Sequence, residues 1–371
     1  MGQIRITGAQ AVALIACLSF GKSIGLTTGA MARVVEQDLW LASLCAFVGA
    51  FVLAVPLVAL VRRFPTQVVP TWVQQVLGRG LGAVALLLFA GFLLGSYLLS
   101  AVTINLHLND YLMTETPPLV FVIGVSLLCL YAAYLGLEVI ARLAIVGLAF
   151  TLLLSFLVLV GTLDRFQVSR MLPLGESGLV PILQASSVAW TDSAMSLVGL
   201  LFLWPRTAAA PQRWLRLSLL AMVLAASTVV VWPILEVGAM GPEVTAHYLI
   251  ACMQLARTAS LGIYLHRYEM IMMVLFGWGT LVQTATLLYL GLELLRSLVP
   301  LRFSRAIFIT VGTLLLIPVQ YVFTIDRPLL DRFHTNLWPM LSLPVALGLP
   351  LLLWLASLIR AKGGAVATEG A

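Results

Sequence analysis

Apolar stretches of roughly 20 residues follow one another almost from end to end of this chain, each long enough to cross a bilayer as a helix. About ten can be placed by length and hydropathy. They lie near Thr7–Ala32, Leu39–Val61, Leu81–Leu106, Pro118–Leu137, Ile140–Gly161, Leu179–Trp204, Leu215–Val237, Tyr264–Leu294, Ala306–Phe323 and Leu337–Ile359. With 61% hydrophobic and only 10% charged residues, the chain excludes a soluble domain. In hydrocarbon every backbone group must be paired internally, so runs of this length are expected to be helical. The expectation is an all-α polytopic membrane protein. It forms one membrane domain over 1–360, with helices 1–5 at about 7–161, helices 6–10 at about 179–359, and a small, polar, disordered tail at 361–371. Arg5 precedes an apolar run, as in a signal peptide, but the run continues past any cleavage site and is expected to stay as the first span.

Two spans do not read like ordinary membrane helices. The first contains Ser19-Phe20-Gly21-Lys22-Ser23-Ile24-Gly25-Leu26-Thr27-Thr28-Gly29, with three glycines that weaken a helix and admit close backbone approach. Lys22 lies several turns from either flank, and burying such a charge costs at least about 2.5–3.5 kcal/mol. The sixth span carries a run of small polar residues from Gln184 to Ser193 with Asp192 at mid-depth. Interruptions at corresponding places in two five-helix halves point to an inverted repeat with broken helices 1 and 6 and a binding site at the midplane. A break in helix 1 would offer free N–H groups to an anionic group, and a break in helix 6 would offer carbonyls to a cationic one. An amino-acid zwitterion suits both. Lys22 and Asp192 stand at the two breaks and are placed to pair. Either they neutralise each other as a structural pair, or Lys22 supplies the positive charge that a coupling cation supplies elsewhere; both readings stay open.

The net charge of +6 is no nucleic-acid signal, since the basic residues sit singly or in pairs at segment ends. Their excess on the N-terminal side, including Arg62, Arg63, Arg142, Arg206, Arg213 and Arg216, places both termini in the cytoplasm. Pro65–Gly80, with Trp72, reads as an amphipathic interfacial piece, and 238–267 as short helices capping the outer face. Cys17, Cys45, Cys129 and Cys252 have no paired spacing and read as small hydrophobes.

Gly21, Lys22, Ser23 and Gly25 on helix 1 and Ser187, Trp190, Thr191 and Asp192 on helix 6 are the candidate ligand contacts. Ser96, Tyr97 and Ser100 on helix 3 and Trp278 and Gln283 on helix 8 join them, as polar or aromatic residues within apolar spans; helix–helix packing is their alternative role. Glu138 and Arg142, at i and i+4, are spaced for an ion pair. Arg267 with Glu269 poses the same question of anchor against gate. Glu293 stands near Arg296. The four histidines, His107, His247, His266 and His334, are isolated at the outer ends. No HExxH, GxSxG or P-loop occurs. An enzyme, a metal site and a cofactor are therefore not expected.

A series of short motifs runs nearly end to end. They are Thr7, Gln10 and Gly21, then Thr116-Pro117, then the Tyr134-to-Arg142 stretch with Gly136 and Glu138. Leu172-Pro173, Gly178-to-Pro181, Leu203-Trp204-Pro205 and Arg267-Tyr268-Glu269 follow. In their order and spacing the chain resembles the B subunit of endospore-germination receptors, the spore permease family within the amino acid–polyamine–organocation transporter superfamily. Lys22 stands where the family has a small residue. The resemblance implies ten helices of the leucine-transporter type and a germinant-sensing subunit that works with an A subunit and a lipoprotein C subunit. It implies residence in a cell membrane or spore inner membrane. A proton- or cation-coupled amino-acid transporter is the alternative that the same fold allows.

Overall fold

The computed structural model describes residues 6–261, 265–266, 268–299 and 304–368. Among them, nine segments are long and apolar enough to cross a membrane. The first, Gly8–Arg62, turns back at Glu36, whose φ is 44°. It therefore holds two crossings, α1 (8–35) and α2 (Leu39–Arg62). The rest are α3 (Arg79–Leu112), α4 (Pro118–Leu135), α5 (Leu137–Arg165), α6 (Leu179–Leu203), α7 (Pro211–Met240), α8 (Glu269–Leu298), α9 (Arg305–Ile325) and α10 (Arg327–Ile359). Ten crossings return the chain to the side it started from, called here the N-terminal side. The last helix stays wound to Thr368, so its backbone enters the tail for which disorder was expected.

Helix α1 is wound in pieces. Thr7 caps it in a reciprocal box with Gln10. The α-helix Gly8–Cys17 stops, a short turn Phe20–Lys22 follows, Ser23–Thr27 is a π-helix, and Thr28–Val35 completes the crossing. Side chains from other helices take up the backbone groups that this irregularity frees. The Ser196 hydroxyl donates to the Ile15 carbonyl at 2.6 Å, and the Gly21 N–H donates to Gln283 Oε1 at 2.7 Å. The interruption expected in the first span is there.

The sixth span corrects the other half of that expectation. Helix α6 is unbroken from Leu179 to Leu203. Its polar run contains no glycine before Gly199. The hydroxyls of Ser186, Ser187 and Thr191 turn back onto the carbonyls of Leu183, Gln184 and Val188, at 2.7, 2.6 and 2.8 Å. The polarity is absorbed on the helix surface without opening it, so no loose carbonyls stand at its middle.

Helix α1 runs through the centre, packed on α5, α6, α7 and α8, while α2 lies along α6 and α3 along α8. On the N-terminal side, the short helix Val69–Leu77 buries Trp72, which stacks on Phe64 at 5.3 Å. On the opposite side, two short helices, Pro242–His247 and Ala251–Thr258, cover the end of α1, as expected for the 238–267 stretch. Strands Ser260–Leu261 and Leu265–His266 pair antiparallel beside them. Asp38 joins the α1–α2 turn to the α5–α6 connection by accepting from the Gly175 and Ser177 amides at 2.8 and 3.0 Å.

Candidate functional site

The short turn Phe20–Lys22, just before the π-helix of α1, carries the Lys22 side chain to the face of α6. Its ammonium lies 2.5 Å from Asp192 Oδ1, and neither side chain is exposed at all. Lys22 also donates to Thr191 Oγ1 at 2.9 Å and lies 3.1 Å from His334 Nε2. An ammonium has three N–H groups and no lone pair, so His334 faces it as an acceptor and all three donors are met. The other carboxylate oxygen, Asp192 Oδ2, accepts from Thr27 Oγ1 at 2.7 Å, and Ser23 lies beside the same carboxylate. Two opposite charges are thus held inside the bundle with their hydrogen-bonding capacity nearly filled by α1, α6 and α10. Removing either partner would leave the other buried and bare, a state far costlier than the intact pair.

A cavity of about 730 Å³ opens above this cluster, between α1, α6 and α10, on the side opposite the N-terminus. Met31, Arg33, Ser187, Val188, Asp331 and Thr335 are among its lining residues. Thr335 follows His334 in the chain, and the Val188 carbonyl holds the Thr191 hydroxyl, so two lining residues adjoin the charged cluster, which itself stays buried behind the wall. Arg33 and Asp331 pair across its wall at 2.5 Å. Their side chains are 35% and 40% exposed, so this pair is worth no more than about 1 kcal/mol and can open readily.

Among the candidates named from sequence, the structure brings together Lys22, Ser23, Thr191 and Asp192, with Ser187 in the wall above. Gly21 and Gln283 bond to each other and hold α1 against α8. Gly25 lies against Thr103 and His107 of α3. Ser96 and Ser100 are fully buried on α3, with hydroxyls that have no hydrogen-bond partner. Three aromatic candidates turn elsewhere. Tyr97 lies within 3.5 Å of Ser126 on α4 and 3.4 Å of Gln320 on α9, joining those helices. Trp190 fills the space over Gly49 of α2. Trp278 is 38% exposed and borders an apolar groove of about 230 Å³ between α4, α5 and α8, its N–H donating to the Leu143 carbonyl. In each case the pairing helix, which sequence does not reveal, fixes where the ring points.

Glu138 and Arg142 do pair, at 50% and 66% exposure, a surface contact worth a few tenths of a kcal/mol. Among the described residues Glu293 pairs with Arg305, at the start of the next span, where Arg296 was its expected neighbour. Glu269 is buried, and Arg267 lies outside the described residues. Two members of the site were missed. Thr27 stood in the interrupted stretch but was not singled out. His334 was read as isolated, although Asp331 one turn before it marks α10 as a polar neighbour. Among the described residues no group of three or more His, Cys, Asp and Glu is placed to hold a metal ion. The cysteines at 17, 45, 129 and 252 are free.

The Gly21–Gln283 contact makes a test of how the break is held. Replacing Gln283 by Leu strips a buried amide of its acceptor, an expected loss of about 1–3 kcal/mol. A lowered unfolding temperature in lipid nanodiscs would show it, and an unchanged one would mean that water or another group serves Gly21 as well.

A family described as "Spore germination protein" matches residues 5–326. Over 278 residues the chain is 21% identical to the spore germination protein YndE of Bacillus subtilis (strain 168), covering 73% of this chain and 75% of that one. Among solved structures, a substrate-bound, outward-open Na⁺-coupled sialic acid symporter superposes with a TM-score of 0.67 at 12% identity, covering 95% of this chain and 79% of the other. A manganese transporter mutant from Eremococcus coleocola superposes with a TM-score of 0.63 at 15% identity, covering 94% and 78%. At such identities these likenesses show the fold alone, that of leucine-transporter-type membrane carriers.

Proposed function

As the chain belongs to the spore germination protein family, and is thus a germination-related permease or transporter, we propose that it is the germinant-sensing, permease-like subunit of a receptor. The single observation that carries this reading is the buried Lys22–Asp192 pair, held by the same three helices, α1, α6 and α10, that line the cavity. A small zwitterion entering from the outer side would present a carboxylate to Lys22 and an ammonium to Asp192, exchanging one pair for two. Amino-acid-like molecules are the class that fits, and the cavity is within the range for small-ligand sites. The ligand gains those contacts only if α1 or α10 shifts. It therefore favours one arrangement of the bundle over another, and the A and C subunits read that bias. In this reading the N-terminal side is cytoplasmic, following the arginine excess, in a cell membrane or spore inner membrane.

A transporter reading uses the same pocket, and the fold shared with solved carriers favours it as the alternative. A thermal-shift screen of purified protein against small amino acids, nucleosides and sugars finds the ligand class. Replacing Ser187 by Trp fills the cavity from its wall without touching the charged pair. It is expected to leave the unfolding temperature unchanged and to weaken the hit at least about tenfold, a loss of ~1.4 kcal/mol. An undiminished shift in that variant would place the ligand elsewhere. Uptake of the labelled hit into proteoliposomes then separates carrier from sensor.

A further inference from the structure

The Lys22–Asp192 pair is balanced, but a second carboxylate inside the bundle is not. Glu236, one turn before the end of α7, is completely buried, and no hydrogen bond within 3.5 Å reaches either carboxylate oxygen; the Thr28 hydroxyl, which faces it, stands 3.5 Å from the Ile24 carbonyl. Thr28 of α1 and Cys252 of the covering helix Ala251–Thr258 flank it. Behind Cys252, whose Sγ lies 3.5 Å from His107 Nε2, the imidazole donates from Nδ1 to the Thr103 carbonyl at 2.7 Å. That bond places a proton on Nδ1, and among the described residues no ion pair joins His107 to Glu236.

The elements packed against α7 carry other charged groups, none of which is paired with Glu236. Arg170 donates to the Gly238 and Ala239 carbonyls, and Arg257 lies over the Tyr111 ring. Asp164, Arg165, Glu243 and His247 belong to the connections at that end. Glu138, Arg142, Arg62, Arg213 and Arg216 belong to the opposite end of the bundle. Among the described residues no ion pair includes Glu236. A bare carboxylate in such a place is penalised by several kcal/mol, and ionisable groups inside a membrane bundle mark ion and proton sites.

We infer that Glu236 is a proton-binding site, separate from the Lys22–Asp192 pair and independent of what that pair binds. The carboxyl group is held as the neutral acid between Thr28 and Cys252. The proton passes to bulk water only when the covering helix or the outer half of α1 moves away and the carboxylate becomes hydrated. Opening of the outer face is thereby linked to proton release, because both require the same displacement of Thr28 or Cys252. A proton suits the site better than a metal cation, since the flanking groups are one hydroxyl and one thiol.

Infrared spectroscopy of the full chain in lipid nanodiscs tests this directly. At neutral pH the wild type should show the C=O stretch of a protonated carboxylic acid, which E236Q lacks and T28V shifts in frequency. E236Q copies the neutral acid in shape and should fold; should it fail to insert, the shift in T28V still decides. No acid band at neutral pH would overturn the proposal. So would a band unchanged in both variants, or one that titrates away near the pH of an exposed glutamate, about 4.3. Loss of the band on adding Na⁺ or K⁺ at neutral pH would assign a cation site instead and overturn it equally.

Discussion

Replacing Lys22 by Ala is expected to lower the unfolding free energy by about 3–5 kcal/mol, because it leaves Asp192 buried without its counter-charge. The ammonium reaches Asp192, Thr191 and His334 together, so its removal empties a polar cluster that water does not reach. Replacing both partners, Lys22 by Met and Asp192 by Leu, removes the bare charge, and apolar replacements of buried pairs run from neutral to about 1–4 kcal/mol stabilising. The double variant should therefore recover most of the single variant's loss while failing to respond to ligand. Unfolding temperatures in nanodiscs, arranged as a double-mutant cycle, measure the coupling. Strictly additive losses would mean that the two side chains do not work as a pair. A double variant that is stable and still responds would remove the pair from the proposed site.

Gly25→Leu is expected to have the second large effect. Gly25 lies where α1 crosses α3, and a Cβ there would run into the Thr103 methyl group and come within 3.1 Å of His107 Cε1. Neither neighbour has room to give. His107 is tied to the Thr103 carbonyl at 2.7 Å and stacked on Phe276 at 4.3 Å between ring centres. Even Ala should cost about 1–3 kcal/mol, the usual range for overpacking, and Leu should cost more and push α1 away from α3. Gly277 on α8 is the matched control, since a Cβ added there meets nothing within 4 Å. Gly277→Leu should purify as wild type while Gly25→Leu gives little monodisperse protein. Equal behaviour of the two would show that the close approach of α1 and α3 is not needed for the fold.

Much of the architecture was readable because membrane helices announce themselves one segment at a time. The length of an apolar run and the position of its charges are properties of that run, and hydrocarbon penalises errors in either. The interruption of α1 was readable for the same reason: three glycines and a lysine lie within one span, and each acts on the local backbone. The matching break predicted in α6 was an error of inference from polarity to geometry. Ser186, Ser187 and Thr191 looked like residues that open a helix, but their short hydroxyls reach their own helix's carbonyls and leave it intact. Glycine, absent from that run, was the better signal.

For this protein, the sequence by itself determined the number of crossings, the place where the first helix comes apart and the presence of one buried charge, Lys22 and Asp192, in each of two spans. Hydrocarbon thickness and the cost of a buried charge act on each segment before it has neighbours. Only the tertiary structure decided that Thr27 and His334 complete the charged cluster, that Tyr97, Trp190 and Trp278 face other helices, and that Glu236 has no ion-pair partner among the described residues. Those facts depend on how each helix is rotated about its axis and which neighbour it meets, and rotation is set by packing among ten helices at once.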